Sequence, residues 1–410
     1  MIPMPRAAPM TSPATTARRA RRRGPLRALP LSLAPLLLLV CAAALPAGGA
    51  TADDVAAMAR TRQWQLPALR LAEAWRVSKG AGVLVAVLDT GVRRDHPDLS
   101  GAVVRGPDLT GAGRDGRLWG HHGTAMASLI AGRGHGEGHR GGVLGVAPAA
   151  RVLSVRVTLE NSDPLRDRRP ATREALARGI RYAADRGADV ISMSLGGGRG
   201  AWEGSAAEEE AVQYAISRGA VLVASSGNDG DAANRKNFPA AYPGVIAVGA
   251  VDRRLRLAPF SNRQDYLSVV APGTGIVTAG ASGAYVVGDG TSSAAALVAG
   301  IAALIRAAHP ALSPYQVRRA IELGTWRRPR DGHSRGYGHG VANAARALRE
   351  AARLAGPVAA PTPPGAHFGA GPVAEPPASR MPVVVGMVVL VAALAARVIL
   401  RNRRRPRHFT

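Results

Sequence analysis

The feature that most constrains this chain is a series of short, predominantly apolar segments separated by helical stretches. VLVAVLD (83–89), RVLSVRV (151–157), ADVISMSLG (188–196) and AVLVASSGN (220–228) each have the length of a strand and lack the polar alternation of a half-exposed one. Between them, HHGTAMASLIAG (121–132) and the stretches 172–185 and 205–217 read as helices. Strands buried on both faces and alternating with helices predict an α/β fold, with a mostly parallel central sheet covered by helices in three layers. VIAVGAV (245–251) and LSVVAPG (267–273) add two more strands. GTSSAAALVAGIAALIRAAH (290–309), apolar all round, predicts a buried helix. The 49 glycines and the 4% aromatic content suit layers that meet through small side chains.

The ends of the chain have a different character. Residues 1–50 carry seven arginines, then an apolar run at 29–46, then small residues, the three-part layout of a secretory signal peptide. The single cysteine, Cys41, lies inside it, so the exported protein is expected to hold no disulfide. Residues 51–80 are expected to form an N-terminal extension, and 81–352 the single large folded domain. Residues 353–380 hold seven prolines and read as a semi-rigid linker. Residues 381–400 follow, apolar for 19 positions from 382 and about 28 Å long as a helix, enough to cross a bilayer core of about 30 Å. The tail 401–410, with RNRRRPR, places the C-terminus in the cytoplasm and the domain outside. About half of the net charge of +25 sits in these two terminal clusters. The remainder is scattered without interleaved aromatics, which argues against a nucleic-acid partner.

Four residues carry candidate chemistry. Asp89 closes the strand VLVAVLD and projects at the carboxyl edge of the sheet, where sites of open α/β folds lie. His122 stands at the mouth of a small-residue helix, as a general base suited to neutral pH. Ser292 opens the buried helix behind Gly290, where free backbone N–H groups stabilise negative charge. Asn228 follows a strand end and offers a neutral amide to an oxyanion. Singly, each has a plainer reading: a turn cap, a surface histidine, an N-cap serine, an Asn-Asp-Gly turn. Together they supply nucleophile, base, orienting carboxylate and oxyanion donor.

DTGV, HGT, SSGN and GTS, in this order, resemble the subtilisin-like serine proteases, and the likeness extends through DHPDL, GVLGVAPAARVLSVRV and ISMSLGGG. The resemblance implies a serine endopeptidase without cofactor or catalytic metal, acting on protein or peptide substrates. It further implies that Ser194, Leu195 and Gly196 pair with an extended substrate, and that Ser225, Ser226 and Gly227 join them in lining the primary specificity pocket. Two positions depart from the family pattern: Ser293 stands where Met is usual, and Ala296 where Pro is usual. QWQLPALRLAEAWRVSKGAGVLVAVLDTGV, HGTAMASLIAG and FPAAYPGVIAVGAV, with the expected membrane helix, resemble the mycosins more narrowly. That implies processing of substrates beside a type VII secretion channel. An alternative class is a degenerate protease fold kept for docking on a membrane complex.

Two further expectations concern ions. His135 and His139 in GRGHGEGHRGG have metal-like spacing, but their glycines predict a solvated loop. Asp98, in DHPDL, matches a calcium-binding position of some subtilisins, although no partner loop is recognisable.

Overall fold

The computed structural model describes residues 51–112, 119–163, 172–196, 203–280 and 283–356. The expected signal peptide, most of the linker, the membrane span and the basic tail lie outside the described residues.

In chain order the elements are α1 (Ala52–Thr61), α2 (Gln65–Ala68), α3 (Leu71–Ala74), β1 (Leu84–Asp89), β2 (Val103–Asp108), α4 (His121–Ala131), β3 (Arg133–His135), β4 (Gly141–Leu144) and β5 (Arg151–Arg156). They continue with α5 (Thr172–Asp185), β6 (Val190–Met193), α6 (Ala206–Ser217), β7 (Val221–Ser225), β8 (Ile246–Val251) and β9 (Leu267–Pro272). Last come β10 (Ile276–Ala279), β11 (Tyr285–Gly288), α7 (Thr291–Ala308), α8 (Pro314–Leu323) and α9 (Ala344–Leu354).

Seven strands form a sheet in the order β2-β5-β1-β6-β7-β8-β9, with every pairing parallel. Because β5 lies on one side of β1 and β6 on the other, the chain reverses its winding at β1, and a crevice opens at that strand's carboxyl end. Side chains along β1 divide between the two faces. Val85 and Val87 join α4, α7, α8 and α9 in one core, while Ala86 and Leu88 join α5 and α6 in the other. The three expected layers are therefore present.

Among the described residues α7 alone is long and apolar enough to cross a membrane, yet 83% of it is buried in the domain. It is the central core helix, and Ala294, Ala295, Ala299 and Ala302 let the sheet and α4 approach it closely.

The N-terminal extension is part of the body. Arg60 donates from Nε to Gly142 O (2.9 Å) and from Nη2 to Gly141 O (3.0 Å). Gln63 exchanges two 2.9 Å hydrogen bonds with the Leu144 backbone, in effect adding a strand contact to β4. The indoles of Trp64 and Trp75 donate to Thr274 O and Val146 O, and Leu69 and Leu71 are fully buried.

The glycine-rich segment after α4 is exposed to solvent at Gly136–Arg140, as its composition predicts, but it is anchored at its start by His135. His135 Nδ1 lies 2.6 Å from Oδ1 of the fully buried Asp98, whose Oδ2 accepts the Val143 N–H at 2.7 Å. The side chain of Asp98 is thus engaged by protein partners, and a long-range hydrogen bond supplies order that local sequence lacks.

The C-terminal end is pinned by Glu322 of α8. Burial alone would raise its carboxyl pKa, but Arg318, His339 and Arg319 hold it below the usual 4.5. His339 is in turn held below 6.5 by burial, against the pull of Glu322. Both groups bind protons more weakly folded than unfolded, so their stabilisation is complete above about pH 6.5. It is lost as pH falls, first through His339 and then through Glu322. Thermal midpoints measured from pH 7 to 3 should therefore fall less steeply in Glu322→Gln than in the parent, from a lower starting value.

Candidate active site

Asp89 is the last residue of β1 and is fully buried. Its Oδ1 accepts the Thr90 N–H at 2.7 Å and lies 2.8 Å from His122 Nδ1. The histidine is on the first turn of α4, with about a third of its side chain exposed, so one ring edge meets the carboxylate and the rest faces the cleft. Gly123 makes this approach possible. A Cβ there would stand 2.1 Å from Gly91 O and 3.2 Å from the Asp89 Cβ, so no larger residue lets α4 sit against the end of β1. Its N–H donates to Thr90 Oγ1 (3.1 Å), tying the helix to the Asp-Thr-Gly turn.

Ser292 is the second residue of α7, following Thr291, and is partly exposed. Its Oγ lies 3.5 Å from Ser194 O, while Ser194 Oγ donates to Ser292 O at 3.0 Å. Asn228 is exposed just beyond β7, where Gly227 turns the chain with φ 107°. Its Oδ1 accepts both the N–H and the Oγ1–H of Thr291, each at 2.9 Å. With the amide oxygen held by two donors, its NH2 group is the part left to face substrate.

His122, Asn228, Ser292, Ser194, Leu195 and Gly196 line one cleft of about 460 Å³, with Asp89 behind the histidine. Ser225, Ser226 and Gly227 do not line that cleft among the described residues. They are buried behind its wall, where Ser225 Oγ and Asn237 Nδ2 both donate to Leu195 O (3.0 and 3.2 Å) and so fix the segment 194–196. Ser293 also lines the cleft, beside the nucleophile candidate, and Ala296 is buried within α7.

Two contributors escape a reading of the sequence. Thr291 looks like part of a Gly-Thr-Ser turn, and only the fold brings Asn228 to it across 63 positions. Glu160 stands in a polar stretch after β5, yet it is almost fully buried, and its Oε1 accepts the N–H groups of His121 (2.7 Å) and His122 (3.2 Å).

A buried carboxylate on histidine Nδ1, with a serine at a helix N-terminus and an amide donor in the same cleft, is the arrangement of a serine hydrolase. Residues 80–340 match the family described as Peptidase_S8, subtilase, and the chain belongs to that family. It is a serine endopeptidase. Thermitase of Thermoactinomyces vulgaris is 38% identical over 262 residues, covering 64% of this chain and 88% of thermitase. Among solved structures, MycP1 from the ESX-1 type VII secretion system superposes with a TM-score of 0.59 at 30% identity, covering 70% of this chain and 85% of MycP1. MycP3 from the ESX-3 system gives 0.60 at 31%, covering 70% and 88%. The expected subtilisin-like fold and the likeness to mycosins are both borne out.

Proposed function

We propose that this chain is a membrane-anchored endopeptidase of the extracytoplasmic face, which cuts proteins exported by a type VII secretion system. Ser292 is the nucleophile. His122 takes the Ser292 hydroxyl proton as the serine attacks the scissile carbonyl, then gives it to the leaving amine. Asp89 keeps His122 in the tautomer with hydrogen on Nδ1 and stabilises the imidazolium. The Asn228 NH2 and the Ser292 backbone N–H receive the oxyanion that forms on attack. Substrate lies extended along residues 194–196, with Ser225, Ser226 and Gly227 shaping the primary specificity pocket from behind. Water then hydrolyses the acyl-enzyme, with His122 again as base.

The observation that carries this reading is the 2.8 Å contact between His122 Nδ1 and the buried Asp89, in the cleft that Ser292 enters. The placement beside a secretion channel rests on the likeness to MycP1 and MycP3, and the anchoring on the apolar segment 381–400 with its basic tail. The test is a comparison of new protein N-termini outside cells carrying the parent chain and cells carrying Ser292→Ala. The proposal expects a defined set to vanish in the variant. An unchanged set, with secretion lost only when the whole chain is deleted, would make docking the function instead.

A further inference from the structure

Taking the triad assignment as proposed above, we infer that Glu160 is a positioning residue of the reaction. It sets the orientation and charge environment of His122 through the N-terminus of the helix that carries it.

The first turn of α4 lacks the usual local cap. Gly120, at the N-cap, has φ 74° and no side chain, and the first turn holds no acid. A helix start of this kind leaves backbone N–H groups unsatisfied and concentrates partial positive charge. That charge stands beside an imidazole which must itself become cationic during catalysis. Glu160 resolves the conflict from 38 positions away. Its Oε1 takes the N–H groups of both His121 and His122, which neutralises the helix end and fixes the His122 backbone. The residue is 7% exposed, so water screens its charge little. It also lines the cleft together with Thr158, Leu159 and Asn161, which joins the cleft wall to the base by a two-bond contact.

Other charged groups meet this region from each neighbouring element. Asp89 faces the ring from β1, and His121 adjoins it on α4. Asp289 lines the cleft between β11 and α7, its Oδ1 accepting the Gly275 N–H at 2.6 Å. Arg93 approaches from the segment after β1, where its N–H binds Thr124 Oγ1 and its guanidinium pairs with Asp95. Of the carboxylates, Asp89 acts on the ring and Glu160 on the backbone of the same residue.

The experiment is the pH dependence of kcat/KM for the full-length enzyme in detergent, comparing the parent, Glu160→Gln and Glu160→Asp, with thermal midpoints as a check of folding. Gln keeps the acceptor oxygen and the length but removes the charge, while Asp keeps the charge but shortens the reach. The inference expects the acidic limb of Glu160→Gln to move down by about half a pH unit, a threefold loss of proton affinity, and its plateau to fall about three- to tenfold. The limb of Glu160→Asp should stay within about 0.2 units of the parent. A Gln limb that overlies the parent's overturns the inference, and so does an Asp limb displaced as far as the Gln limb is expected to move. If Gln does not fold, Glu160→Ala takes its place as the charge-removing variant, with the same downward shift expected and the same overlay on the parent overturning the inference. Failure here with an inactive Ser292→Ala leaves the triad standing, whereas an active Ser292→Ala removes the triad itself.

Discussion

Asp89→Asn should lower kcat by about 10⁴-fold while the protein stays folded. The carboxylate Oδ1 accepts from two groups at once, the Thr90 N–H at 2.7 Å and the His122 Nδ1–H at 2.8 Å. An asparagine that satisfied both with its oxygen would bury its NH2 at the place of Oδ2, which has no protein partner. Turned over, it would point a donor at Nδ1 and force the proton onto Nε2, leaving no base for Ser292. Either arrangement also withdraws the negative charge that stabilises the imidazolium, in a place where the parent residue is fully buried. Steady-state kinetics on a peptide amide, with circular dichroism to check folding, decides it. A loss under about tenfold would mean that Asp89 does not orient the base.

The second large effect is expected at Asn228. Removing its amide in Asn228→Ala should lower kcat by about 10²- to 10³-fold and leave KM nearly unchanged, because the donor meets charge that develops only as the carbonyl is attacked. Thr291 holds Asn228 Oδ1 with two 2.9 Å bonds, so Thr291→Val, which keeps only the backbone donor, should reproduce a small part of that loss. A variant of Asn228 that raised KM tenfold at constant kcat would instead make this residue a ground-state binding group.

Much of this arrangement is legible in the sequence, because the fold and the chemistry share their signals. A fully apolar strand ending in Asp, a helix opening with His-Gly-Thr and a buried helix opening with Thr-Ser place three groups at element ends on one side of a parallel sheet. Elements with weak local signals are not legible. β2 contains Gly106 and Pro107, and the hairpins β3-β4 and β10-β11 gain their pairing only from the body they pack on. The strand order is likewise set by contacts between distant segments. For the same reason nothing in the sequence singles out Glu160, although the fold carries it to the end of a helix far away in sequence. Asp98 reads as a match to a calcium-binding position without its partner loop, and His135 as a loop histidine, until the fold joins them. The three serine and glycine positions 225–227 show a further limit. A motif brings them near the site, but only the fold shows that all three are buried and that Ser225 Oγ donates to Leu195 O of the cleft wall.

The central claim is that Ser292 is the nucleophile, and covalent labelling tests it most directly. Purified enzyme treated with a fluorescent phosphonofluoridate, then digested and mapped by mass spectrometry, should carry one phosphonyl group on Ser292, with labelling abolished in Ser292→Ala and strongly slowed in His122→Ala. A phosphonyl group found on Ser293 or elsewhere, or equal labelling of Ser292→Ala, would contradict the account.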